Sequence, residues 1–216
     1  MMLPHRVITG FLGEAAAAGL LAHAIEREAA FLPTTLGPAA KGRVDPAVRM
    51  SVGTRDLGRH RSIIETGLAA RLVDLAVAVG AAPVDRPRFE LELTAHNDGA
   101  FYRRHIDTRT GADRRRIRVI SGVYYVHRRP KAFSGGALRL YAVGDPTFAT
   151  FQDVEPAHDA LVVFPSWAPH EVMPVRCPSG RFEDSRFAVN CWVWRPSSAD
   201  EAAGEGARIS SGSGPA

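Results

Sequence analysis

Between residues 88 and 195 the apolar residues of this chain change period. Upstream they recur at helical spacing; here they alternate in short runs bounded by Gly, Pro, Asn or Asp. The runs expected as strands are 89–94, 101–105, 117–127, 137–141, 160–164, 171–174 and 186–194. Short strands at that spacing suggest two packed sheets. The expected fold is mainly β with flanking helices, a double-stranded β-helix or jelly roll.

The remaining segments are assigned around that core. After a short strand near residues 6–9, Leu20, Leu21, Ala24, Ile25 and Ala29 suit a helix over 14–30. Ser62 with Glu65 forms a capping box, and Ile64, Leu68, Leu72, Leu75 and Val79 continue as one apolar stripe stopped by Gly80 and Pro83. Between these helices, residues 31–60 are broken by Pro33, Gly37, Pro38, Gly42, Pro46, Gly53 and Gly58. So long a stretch without pattern is expected to be a mobile flap covering a site. Past Pro196 large apolar groups are too few to fold, so 197–216 is expected as a disordered tail. One domain, 1–196, follows: 1–87 as helical support and flap, 88–195 as the core.

Composition narrows the classes. A chain of 216 residues, 45% apolar and 23% charged, can bury one sizeable core. No run approaches the ~20 apolar residues of a membrane span and no signal-peptide pattern is present, so the default location is cytoplasmic. Cys177 and Cys191 are too few for a disulfide framework or a structural zinc site, and are expected as one half-exposed and one buried thiol. The net charge of +4 gathers in Arg103-Arg104, Arg114-Arg115-Arg116 with Arg118, and Arg128-Arg129. With no stacking aromatics interleaved, these read as solvated loops, and neither nucleic acid nor membrane is expected as a partner.

The chemistry-bearing residues are few. In a strand, residues two apart share a face, so His105 and Asp107 can clamp a metal while Ile106 turns into the core. His170, opening a later strand, can supply a third ligand. Two imidazoles and a carboxylate leave three octahedral positions open, as non-haem Fe(II) oxygenases require, although the same set could hold zinc. Arg186 opens the last strand and shares a face with Ala188, Asn190 and Trp192; its planar fork suits a carboxylate. Arg181, in a polar turn, competes for that role. Alternation turns Glu171 away from His170, which weakens a zinc-hydrolase reading. Of the other imidazoles, His96 in its Asn97-Asp98-Gly99 turn is expected at the surface, and His127 and His158 stay outside the set.

Taken together, Phe101-Tyr102-Arg103-Arg104-His105-Ile106-Asp107, Val123-Tyr124-Tyr125-Val126, Ser134-Gly135-Gly136-Ala137-Leu138-Arg139-Leu140, Pro169-His170-Glu171-Val172-Met173-Pro174 and Arg186-Phe187-Ala188-Val189 resemble the prolyl-hydroxylase branch of the 2-oxoglutarate and Fe(II)-dependent dioxygenases. The resemblance covers about residues 88–195 and departs from the family only in the longer interval between His170 and Arg186. It implies iron on His105, Asp107 and His170, and the far carboxylate of 2-oxoglutarate on Arg186 and Tyr125. Tyr102, Leu138, Val172 and Trp192 would line the pocket. The expected reaction consumes O2 and 2-oxoglutarate and hydroxylates an unactivated C–H bond, with ascorbate able to serve as reductant. Asp107 disfavours halogenation; desaturation and ring closure stay open. The substrate is a prolyl residue in a protein or peptide, or alternatively a free amino acid or biosynthetic small molecule. Outside the enzyme class, the alternative is a jelly-roll module that binds metal and 2-oxoglutarate without turnover.

Overall fold

The computed structural model describes residues 2–37, 42–108 and 116–196, so the expected tail and Arg114 and Arg115 lie outside the described residues. In chain order the elements are β1 (Arg6–Thr9), α1 (Glu14–Glu26), β2 (Leu32–Pro33), β3 (Arg49–Met50), β4 (Val52–Thr54), α2 (His60–Ala69), α3 (Leu72–Ala78), β5 (Arg88–His96), β6 (Phe101–His105) and β7 (Arg116–Val126). There follow β8 (Ser134–Gly135), β9 (Leu138–Tyr141), β10 (Phe151–Val154), β11 (Ala160–Pro165), β12 (His170–Val172), β13 (Val175–Arg176) and β14 (Arg186–Pro196). The larger sheet runs β1-β11-β7-β14-β5-β4-β2, the smaller β10-β9-β12-β6-β3, and β13 pairs with β8.

Alternation along the central strands sorts side chains between two apolar layers. Leu91, Leu93 and Ala95 of β5, with Phe187, Val189, Cys191 and Val193 of β14, pack against Leu20, Ile64, Leu68 and Leu75 of the helices. Val123, Tyr125, Val162, Phe164 and Ala188 face the other way and meet Leu138 and Leu140 of the smaller sheet. Each fully buried Leu or Phe contributes about 1.5–3 kcal/mol, so a one-residue slip of β14 would put both sets on the wrong face.

Several expectations change. The stretch 31–60 carries pairings among its described residues: β3 pairs with β6 of the smaller sheet and β4 with β5 of the larger, while residues 38–41 lie outside the described residues. Its few strand residues are ordered by those neighbours, which the Pro and Gly spacing could not reveal. The second helix is two, because the chain breaks between Ala69 and Leu72 and Arg71 turns back to donate to the Gly67 carbonyl. Ser62 lies inside α2 and donates to Arg59, so it is no cap. The first helix ends at Glu26 and gives way to a short 3-10 turn, Glu28–Ala30. Both cysteines are free and buried, since Cys177 packs with Phe133 and Val175 rather than facing solvent.

Candidate metal and co-substrate site

The smaller sheet brings the metal-ligand candidates together. β12 pairs with β6 so that His170 lies opposite His105, and β12 begins at His170 because Pro165, Ser166 and Trp167 turn the chain just before it. Asp107 lies past the end of β6 instead of in the strand. Its N–H and that of Thr108 donate to the Ser166 carbonyl at 2.9 and 3.0 Å, which ties it to the loop that carries His170. Ile106, expected in the core, is 41% exposed, because β6 ends before it.

One donor atom from each of His105, Asp107 and His170 falls within 4.8 Å of the others, the one such group among the described residues. Each imidazole Nε2 stands 3.6 Å from an Asp107 oxygen, too far for a hydrogen bond. Each Nδ1 lies 2.8 Å from a backbone carbonyl, that of Arg103 or Ala168. A carbonyl only accepts, so Nδ1 carries the proton and Nε2 presents its lone pair inward, the tautomer a metal needs. Burial, and then the neighbouring His170, push His105 down to about 3, so it is neutral at physiological pH. Burial works to raise Asp107, but His170 and His105, with hydrogen bonds from Ser121 and Trp192, outweigh it and hold the carboxyl below its usual range. Two inward-facing imidazole nitrogens and one carboxylate fit a divalent ion.

Further between the sheets lies a second polar centre. Arg186 is 1% exposed; its Nε donates to the Gly136 carbonyl at 2.7 Å, and its guanidinium sits 4.8 Å over the Tyr125 ring. Gly136 adopts φ +70°, and a Cβ there would come within 2.6 Å of Arg186 Cδ, so the Ser-Gly-Gly turn makes room for the arginine. The Arg186 Nη2 and Tyr125 Oη atoms are buried without a hydrogen-bond partner. Such orphans cost about 1–3 kcal/mol each, and a carboxylate would satisfy both. Tyr124 points the opposite way and donates to Asp159 at 2.8 Å. Arg181 is 59% exposed and bound to Asp184, outside this centre.

Around these centres the other expected residues take definite places. Tyr102 stacks on His105 with ring centroids 3.6 Å apart, because Arg103 and Arg104 of β6 oppose the single Glu171 of β12 and the irregularity turns both rings inward. Leu138 is buried opposite Val172 across the β9–β12 pair. Trp192 hydrogen-bonds Asp107 and carries the Arg118 guanidinium 3.9 Å over its ring. Asn190 is half-buried between Glu92 and Val123 of the neighbouring strands.

The sequence reading missed Ser121, which donates to Asp107 Oδ2 at 2.6 Å, and Arg49, a buried partner of Glu92 that lies 4.8 Å over Tyr102. It also misplaced His96, which is buried at the end of β5 opposite Arg186, because β5 runs on past Thr94 into what looked like a turn. The arginine pairs are not bare loops either: Arg104 lies over Phe148, Arg118 pairs with Glu90, and Arg128 and Arg129 pair with Asp184 and Glu14. Their partners, one aromatic ring and three carboxylates, come from other segments of the chain.

The same stretch of the chain is similar to known proteins. The family model described as the 2OG-Fe(II) oxygenase superfamily matches residues 91–194. Those residues form a 2OG-Fe(II) oxygenase domain. Such a domain works with Fe(II), 2-oxoglutarate and O2, and the triad and the Arg186 centre both lie inside the matched stretch. A curated relative, an uncharacterised PKHD-type hydroxylase from Synechocystis, is 41% identical over 137 residues, covering 61% of this chain and 45% of its own. The chain thus spans under half the length of that relative. Among solved structures, a prolyl-4-hydroxylase of Pseudomonas putida superposes with a TM-score of 0.65 at 24% identity, covering 90% of this chain and 94% of its own. A Trichoplax adhaerens prolyl hydroxylase, solved with a fragment of the hypoxia-inducible-factor oxygen degradation domain, gives 0.64 at 20% identity, covering 88% and 83%. Both share the jelly-roll fold of the oxygenase domain. No helix among the described residues is long and apolar enough to cross a membrane.

Proposed function

We propose that the oxygenase domain hydroxylates an unactivated C–H bond of a prolyl residue in a protein or peptide. The observation that carries the reading is the pairing of a buried two-histidine, one-carboxylate set with a buried Arg186 whose Nη2 lacks a partner. When bound, iron and 2-oxoglutarate supply O2 activation and C–H oxidation, while the protein supplies orientation and exclusion of water. His105, Asp107 and His170 would hold the metal. Arg186 and Tyr125 would hold the carboxylate of 2-oxoglutarate remote from it, and Tyr102, Leu138, Val172 and Trp192 would wall the space between.

A macromolecular substrate is supported by the surface beside the triad. Ile106 and Trp167, in the two segments that carry the ligands, are 41% and 50% exposed, as a docking rim would be. The prolyl-hydroxylase structural neighbours point the same way. The two free thiols suit a reducing cytoplasm.

The test is an anaerobic titration of the metal-free protein with Fe(II) and 2-oxoglutarate, following the weak visible charge-transfer band of the chelate. The band should vanish in His170→Ala and weaken in Arg186→Ala. Succinate release with O2 is then compared for prolyl peptides and for free proline. Wild-type protein without a band would sink the oxygenase reading. A band with release stimulated only by a free amino acid would replace the peptide by a small-molecule substrate.

A further inference from the structure

His96 is 3% exposed, and neither ring nitrogen has a hydrogen-bond partner among the described residues. A buried imidazole left wholly unpaired is costly and rare, which marks it as a group awaiting a partner. Its orientation follows from the sheet. Leu91, Leu93 and Ala95 of β5 face the helices, so Thr94 and His96 do not share that layer, and His96 is set opposite Arg186 of β14. On the other flank of β14, β7 places Tyr125 opposite Ala188, with its ring beneath the Arg186 guanidinium. Arg186 therefore stands between Tyr125 and His96, and all three end in unpaired polar atoms. Two carboxylate oxygens offer about four acceptor sites, one more reason for a third donor.

We propose that His96 is a third anchor, beside Arg186 and Tyr125, for the carboxylate of 2-oxoglutarate remote from the metal. This rests on the reading of Arg186 as the co-substrate's anchor. The charged and titratable groups facing His96 are Arg186 of β14 and Arg49 of β3, with the Tyr125 phenol beyond the former. Burial, then Arg186 and Arg49, hold its pKa well below the ordinary histidine value, so the imidazole is neutral in the free protein. An anion arriving among these groups offsets both cations and favours the imidazolium. 2-Oxoglutarate thus binds together with a proton, and more tightly as pH falls through the range in which only the complex is protonated.

The test compares 2-oxoglutarate with 2-oxobutyrate, which chelates a metal through the same keto-acid group but has no remote carboxylate. Calorimetry on the Mn(II)-loaded full chain gives both affinities, and repetition in two buffers of different ionisation heat gives the protons taken up. His96→Phe should weaken 2-oxoglutarate about tenfold or more, the effect of one hydrogen bond to a charged group, and leave 2-oxobutyrate unchanged. His96→Gln, which keeps a donor, should recover part of the affinity but none of the proton uptake, and it carries the test if His96→Phe does not fold. Equal weakening of both acids, no weakening of either, or proton uptake that survives both substitutions would overturn the assignment. An Arg186→Gln protein that still prefers 2-oxoglutarate to 2-oxobutyrate as strongly as wild type would instead overturn the underlying reading of Arg186.

Discussion

Ser121 shows how one hydroxyl can set the character of the triad. Asp107 lies beyond its strand, so its carboxylate is aimed by the Ser121 hydroxyl at 2.6 Å and by Trp192. Ser121 is itself within 2.9 Å of Ser166, whose backbone holds Asp107 and Thr108. Removing such an orienting partner commonly lowers metal affinity about 10–100-fold. Ser121→Ala should therefore weaken Fe(II) or Co(II) binding by that order in a metal titration, while shifting the melting temperature of the metal-free protein only slightly. Unchanged metal affinity would show that the hydroxyl merely fills space. That His105, Asp107 and His170 could meet was legible in the sequence, since they are the residue types a non-haem iron demands. Ser121 and His96 were not, because their roles come from cross-strand register to residues far along the chain.

At the scale of elements, the least legible feature is how the helical layer is fastened. Gly13 offers α1 no side-chain cap, and the acceptor comes from the residue just before β11, far along the chain. Asp159 takes the Leu12 and Gly13 N–H groups at 3.0 and 2.9 Å and the Tyr124 hydroxyl at 2.8 Å, with its own backbone at φ 55°. Asp159→Ala would leave those groups unpaired and place Ala in the left-handed region, costing about 2–4 kcal/mol. For a chain of this size that corresponds to roughly 5–15 °C in melting temperature. Asp159→Asn keeps an acceptor and tolerates that backbone, so it should lose much less; equal losses would mean that the helix start does not depend on the side chain. The strands of the core were visible because alternation over 88–195 is imposed by two buried layers. The short β2, β3 and β4 were not, because their residues are ordered by pairing with β5 and β6 and carry no period of their own.

At the scale of the whole molecule, imidazoles are buried at several separate places, and this makes stability depend on pH in a definite direction. Burial lowers the pKa values of His60, His96, His105 and His127, which are otherwise near 6.5 in the unfolded chain. Below about pH 6.5 the unfolded chain therefore binds protons that the folded protein refuses. Stability is full above that value and falls as pH drops towards the folded-state pKa values, by up to about 1.4 kcal/mol per pH unit for each such group. Denaturant unfolding of the metal-free protein at pH 7.5, 6.5 and 5.5 should show a flat upper segment and a steep lower one. His96→Phe should remove about one proton from the lower slope. Bound metal should steepen it, because His105 and His170 must then stay unprotonated to remain ligands. A profile that stays flat from pH 7.5 to 5.5 would mean that these imidazoles are hydrated in the folded protein. It would also remove the unpaired His96 on which proton-linked binding of 2-oxoglutarate depends.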